Sequence, residues 1–209
     1  MSPFFVLRQM LQPDNLILAS RSPRRVHLLR QIGLHPHVMP CAIEEVIDPS
    51  LPVEENAIVI AANKVHDVAR RVQKGIVLGA DTIVVIEDKV LGKPADAADA
   101  VRMLRLLSGR THTVVTGFAL REEPSGREVT GVESTKVTFR ELPVKEIEEY
   151  VAGGSPLDKA GAYGIQDDYG AVFVTRIEGC YYNVVGLPLA RVYAALQGLL
   201  AGNGSVTRR

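Results

Sequence analysis

Three observations predict an α/β fold built on a mixed sheet. Residues 76–86 form a near-continuous run of β-branched and large apolar side chains broken by one carboxylate, the pattern of a strand buried on both faces. Residues 54–72 place Ile58, Ala61, Val65, Val68 and Val72 on one helical stripe. Two long strand patterns at 111–121 and 129–142 are joined through Pro124, Ser125 and Gly126, a hairpin and hence an antiparallel part of the sheet.

The totals set the class. With 209 residues, 46% of them hydrophobic and 23% charged, the chain is an ordinary globular one, long enough for a single large core. Lys plus Arg equals Asp plus Glu at 24 each, so no global field draws the protein to nucleic acid or to an anionic membrane, and any anion site must be local. Cys41 and Cys180 can form one bridge at most, and no metal-type Cys/His spacing exists. No run approaches a membrane span, and the apolar stretch near the start is too short for a signal segment, so a cytoplasmic protein is expected.

In chain order, residues 1–15 read as an extension, 16–201 as one domain and 202–209 as a disordered tail. A short strand at 16–19 leads into a helix opened by Ser22 at the cap and Pro23 in the first turn, with Val26, Leu29 and Ile32 on one face and Gly33 at its end. Arg24 and Arg25 in that first turn face the positive end of the helix dipole, a misplacement of ~0.3–1 kcal/mol each that a bound anion would reverse. With Ser20 and free N–H groups they form a candidate phosphate site, the alternative being a solvated basic turn.

Residues 38–47 read as a strand entering an acidic turn, where Glu44 and Glu45 point to opposite faces and only one can serve a given site. On the 54–72 helix Lys64 lies off the centre of the stripe, and pattern alone exposes it. Asp81 interrupts the buried strand. Burying a carboxylate without a partner costs several kcal/mol, so Asp81 should meet a cation, a metal or a strong donor, and Gly79 beside it lets a backbone or a ligand approach closely. Asp96 caps the next helix, with Asp99 three residues on.

After the hairpin, a short helix over 143–151 stops at Gly153 and Gly154, and 155–169 follows neither period. Asp158, Lys159, Gly161, Tyr163, Gly164 and Gln166 in that loop are enough to shape a base-binding wall, or else make an ordinary loop with a surface ion pair. A strand at 171–177 and a last helix over 188–200 complete the domain.

Basic groups at Arg24, Arg25, Lys64, Lys93 and Lys159 with acids at Glu44, Glu45 and Asp81 are what phosphoryl chemistry asks for. Walker A, strand-borne GxGxxG, HExxH and Gly-x-Ser-x-Gly patterns are all missing. SRSPRR at 20–25, GADTIV at 79–84, LGKP at 91–94, LSGRTHTVVTG at 107–117, DKAGAYGIQ at 158–166 and NVVGLPL at 183–189 together resemble the Maf family of nucleoside triphosphate pyrophosphatases over nearly the whole chain after residue 15. Arg24, Thr82 and Gln166 resemble the branch acting on dTTP and UTP.

The resemblance implies an inosine-triphosphatase-like fold, a long mixed sheet flanked by helices around a central cleft, and a homodimer. It implies that Asp81 takes the proton of water attacking the α-phosphate, releasing nucleoside monophosphate and pyrophosphate, that Lys64 and Lys93 lie near the phosphates, and that Glu45 with Asp81 serves a divalent cation, Mg²⁺ or Mn²⁺. That overrides the exposed placement of Lys64. Two departures stand out: Val65 occupies an alanine position, and Asp167, Asp168 and Tyr169 replace a more Gly-rich continuation, adding negative charge beside the expected base pocket. The alternatives are the 7-methyl-GTP branch of the family and a nucleotide-binding regulator of septum formation.

Overall fold

The computed structural model describes residues 15–166 and 168–202. The extension expected over 1–15 and the tail over 202–209 lie outside the described residues but for Asn15 and Gly202, and Asp167 lies outside them too. Along the chain run β1 (Leu16–Leu18), α1 (Pro23–Gln31), β2 (His37–Val38), α2 (Val53–Ala69), β3 (Gly75–Ile86), β4 (Lys89–Leu91) and α3 (Ala97–Leu107). They are followed by β5 (Thr111–Glu123), β6 (Glu128–Phe139), α4 (Val144–Ala152), β7 (Val174–Glu178), α5 (Tyr181–Val185) and α6 (Leu189–Leu200). The seven described strands form one mixed sheet in the order β2-β1-β3-β5-β6-β7, with β4 paired to β3.

β1 runs parallel to β2 and β3, in register Leu16 to Ile76 and Leu18 to Leu78, whereas β4 is antiparallel to β3 and β7 to β6. Within the span 16–201 the chain gathers into two compact units. One holds the chain up to Asp81, Thr116–Glu133 and the segment from Gly186; the other holds Thr82–Val115 and Ser134–Val185.

In the first unit the apolar stripe of α2 meets the sheet: Ala61, Val65, Val68 and Ala69 are buried with Ile17, Ala19, Val77 and Ala119. Two glycines set how close α2 comes. A Cβ on Gly79 would lie 2.7 Å from the Ala61 carbonyl oxygen, and one on Gly117 would lie 2.3 Å from the Ala57 carbonyl carbon. Only glycine fits either position, so the close approach expected at Gly79 is that of a helix backbone.

The strand expected over 38–47 shrinks to β2. Pro40 has no N–H to give a ladder, and the segment after it is tied to α2 by side chains instead: the Ala42 N–H donates to Asp67 at 3.1 Å and the Asp48 N–H to Asn56 at 2.7 Å. At α1 the Ser22 side chain makes no cap; its N–H donates to Ser20 Oγ at 3.1 Å. The Asp96 cap forms as expected, accepting from the Asp99 N–H at 2.8 Å.

In the second unit α3 packs against α4, and His112, Phe139, Tyr163, Phe173 and Tyr150 form a chain of edge-to-face ring contacts. The loop that follows neither period folds as three 3-10 turns, Ser155–Asp158, Ala160–Ala162 and Asp168–Phe173. The strand expected over 171–177 begins only at Val174, because the last of these turns occupies its first residues.

Candidate active site

Asp81 sits within β3 at the end of the first unit's share of that strand, and α2 brings a cation to it. The Lys64 ammonium donates to Asp81 Oδ1 at 2.6 Å and lies 2.6 Å from Glu45 Oε1. Its side chain is 4% exposed, against 10% for Asp81 and 42% for Glu45, so one ammonium holds a buried carboxylate and a solvent-facing one together. The exposed placement that periodicity gives Lys64 is therefore wrong. The reason is Gly79: with no Cβ there, α2 lies against β3 closely enough for a residue at the edge of its stripe to reach the strand.

A second cation belongs to the same cluster. Arg25 is buried, donating through Nε to the Gly186 carbonyl at 2.9 Å and through a terminal nitrogen to Ser20 Oγ at 3.2 Å. Burial pushes the pKa of its guanidinium down, and the charges of Asp81 and Glu45 oppose that shift. Arg24 stands half-buried next to it in α1, so the basic first turn expected from sequence is folded inward at Arg25.

Glu45 owes its position to residues that sequence reading overlooked. Asn56, 3% exposed at the start of α2, donates to the carbonyls of Asp48 and Leu51 at 2.8 and 3.1 Å. Arg71 donates to the Pro40 carbonyl at 3.0 Å, and Asp67 receives the Ala42 N–H. These side chains hold residues 40–51 against α2 with Glu45 in between. An amide in a helix whose other buried positions are mostly apolar was the available signal for Asn56; nothing in the sequence marked the Gly186 carbonyl.

Of the residues expected at the site, Ser20, Arg25, Glu45, Lys64 and Asp81 thus converge within the first unit, and Glu44 is exposed. Thr82, Lys93, Lys159 and Gln166 belong to the second unit. There Lys159 is 6% exposed and contacts Asp158 Oδ1 at 2.7 Å, Thr82 and Gln166 are half-buried, and Lys93 is exposed.

Two carboxylates meeting at one point suit a hard divalent cation. Mg²⁺ is held by one or two carboxylates and completes its shell with water and substrate phosphate oxygens. Among the described residues no group of three or more His, Cys, Asp or Glu side chains gathers where it could hold a metal ion. As a pair of carboxylates, Glu45 and Asp81 offer oxygen donors of the type that suits Mg²⁺ or Mn²⁺ rather than a structural zinc. Cys41 and Cys180 are both free thiols. Among the described residues, no helix is long and apolar enough to cross a membrane.

Residues 15–199 match the family described as Maf-like protein. The chain is 47% identical over 182 residues to a dTTP/UTP pyrophosphatase of Carboxydothermus hydrogenoformans, covering 87% of this chain and 97% of that one. It is 52% identical over 179 residues to a dTTP/UTP pyrophosphatase of Moorella thermoacetica, covering 86% and 92%. Among solved structures, the Ham1 protein of Staphylococcus aureus aligns over 90% of this chain and 98% of its own at 15% identity and a TM-score of 0.44.

Proposed function

The chain belongs to the Maf-like protein family, and on that premise we propose that it hydrolyses dTTP and UTP to the nucleoside monophosphate and pyrophosphate. The observation that carries the reading is the buried Lys64 joining Asp81 to Glu45, with Arg25 in the same cluster. Relatives named dTTP/UTP pyrophosphatase, matched over most of their length, support the substrates.

The reaction proceeds by attack of water on the α-phosphorus. Asp81, held at Oδ1 by Lys64, takes the proton through its other oxygen, a contribution of ~10²–10⁴-fold. Lys64 and Arg25 supply positive charge toward the triphosphate, and their bonds to Asp81, Ser20 and Gly186 fix them before substrate arrives. A divalent cation held by Glu45 and Asp81 would neutralise developing charge on the phosphate oxygens. Lys93 and Lys159 add charge toward the phosphates, and Arg24, Thr82 and Gln166 select the pyrimidine nucleotide. The protein works as a cytoplasmic homodimer on a small-molecule substrate, with no nucleic-acid or membrane partner.

The test is anion analysis of the products formed by the purified protein from dTTP, UTP and 7-methyl-GTP with Mg²⁺, repeated with EDTA. Pyrophosphate from the two pyrimidines, lost with EDTA, is the expected result. Orthophosphate would replace the proposal by stepwise phosphatase chemistry, and faster turnover of 7-methyl-GTP would move the chain to the other branch. Activity that survives EDTA would remove the metal.

A further inference from the structure

The LSGRTHTVVTG stretch has so far no part in the reaction, although it places a histidine where one is costly. His112 is 2% exposed, and burial alone lowers its pKa to about 4, so it is a neutral imidazole at physiological pH. Among the described residues its Nδ1 has no hydrogen-bond partner, while Nε2 meets the Tyr163 hydroxyl at 2.8 Å. A hydrophobic residue would fill the same space without leaving a buried nitrogen unsatisfied. What the imidazole adds is one bond to one residue.

That residue lies in DKAGAYGIQ, four positions after Lys159 and three before Gln166. The backbone between Lys159 and Tyr163 is strained. Gly161 has φ +72° and Ala162, which carries a Cβ, has φ +60°; two left-handed residues in succession turn the chain sharply. Such a turn persists only if both ends are held. At the Lys159 side the Gly161 N–H donates to the Gly92 carbonyl at 3.0 Å. On the other side stands Tyr163, 5% exposed, with its ring edge-on to His112 and Phe139 and its hydroxyl on His112.

We propose that His112 is a positioning residue for substrate binding: its bond to the Tyr163 hydroxyl locks the strained 159–163 turn and so fixes Lys159 and Gln166 in the conformation that receives the nucleotide. The proposal rests on the reading above, in which those two side chains contact substrate. His112 itself is buried and touches none. Without the bond the turn relaxes, and the loss falls on binding, because the proton-accepting carboxylate is held by other residues.

Steady-state kinetics with dTTP on Tyr163→Phe, His112→Phe and the double variant test this. Tyr163→Phe keeps the ring and removes only the hydroxyl. Each single variant should raise KM about tenfold with kcat within about threefold, as expected for one buried hydrogen bond. The double variant should be no worse than the worse single, since both remove the same bond. His112→Gln, whose amide can still meet the hydroxyl, should fall closer to the wild type. Unchanged KM in Tyr163→Phe, or a fall in kcat at fixed KM, overturns the proposal. Amide exchange over 159–166 supplies a readout free of turnover: it should quicken in Tyr163→Phe, and an unchanged rate also overturns the lock. If the wild type releases no pyrophosphate from dTTP, the functional reading fails, and the exchange rate still decides the lock.

Discussion

Two regions of this protein hold charged side chains out of water, and they do it in opposite ways. Around Asp81 the work is done by regular structure: a helix pressed onto a strand brings Lys64 to within 2.6 Å of two carboxylates. Around Lys159 there is little regular structure. Three short turns flank the side chains, two successive residues are left-handed, and one histidine-tyrosine bond holds the end. The first region is fixed by packing over a large area, the second by a few bonds, so a single lost atom should be felt differently in each. In the proposed mechanism, chemistry that needs a carboxylate placed to a fraction of an ångström sits on the rigid part, and the loop is left to vary with the nucleotide.

The contrast can be broken most completely at Asp81. Asp81→Asn keeps the shape and removes the proposed proton acceptor, and kcat should fall by ~10²–10⁴-fold; product analysis at saturating dTTP checks it. The next largest effect tests whether packing fixes this region. Gly79→Ala puts a methyl 2.7 Å from the Ala61 carbonyl oxygen, forces α2 off the strand and should cost about 10²-fold in kcat/KM. A variant with nearly normal kcat/KM would show that the glycine does not set the Lys64 to Asp81 distance.

The second region is sharpened by acid. The folded-state pKa of His112 is depressed to about 4 from an ordinary 6.5, so the unfolded chain takes up a proton that the folded chain refuses. The stability tied to this residue is therefore complete above about pH 6.5 and is lost as pH falls toward 4, about 3 kcal/mol over that window. Denaturant unfolding at pH 7 and pH 4 should show a drop smaller by about that amount in His112→Phe than in the wild type. The smallest expected change is at Ala162. Ala162→Gly relieves the left-handed strain but loses a fully buried methyl and adds unfolded-chain entropy, so thermal unfolding should stay within about 0.5 kcal/mol of the wild type.

How much of this was legible in the sequence divides along the same line. The strand around Asp81, the helix bearing Lys64, the Asp96 cap and the hairpin follow from periodicity and turn residues, and each formed close to where the pattern put it. Periodicity misplaced Lys64 because a helical wheel gives a direction and no distance; the missing Cβ at Gly79 supplies the distance. The strand expected over 38–47 failed because its partners are side chains of α2, a tertiary fact with no local pattern. The 155–169 loop was legible as irregular but not as turns, since its shape depends on bonds to Gly92 and His112, remote in sequence.

The contact of α2 with β3 and β5 at Gly79 and Gly117 is one of backbone against backbone. A spacing set this way has a hard stop that side-chain volume does not adjust. Exchanges among the aliphatic residues at Val65, Val68 and Val77 can then alter stability while the separation of helix and sheet stays where the two glycines leave it. The core of this unit is free to drift in composition over evolutionary time, while a pair of absent methyl groups preserves the geometry of the cluster around Lys64 and Asp81.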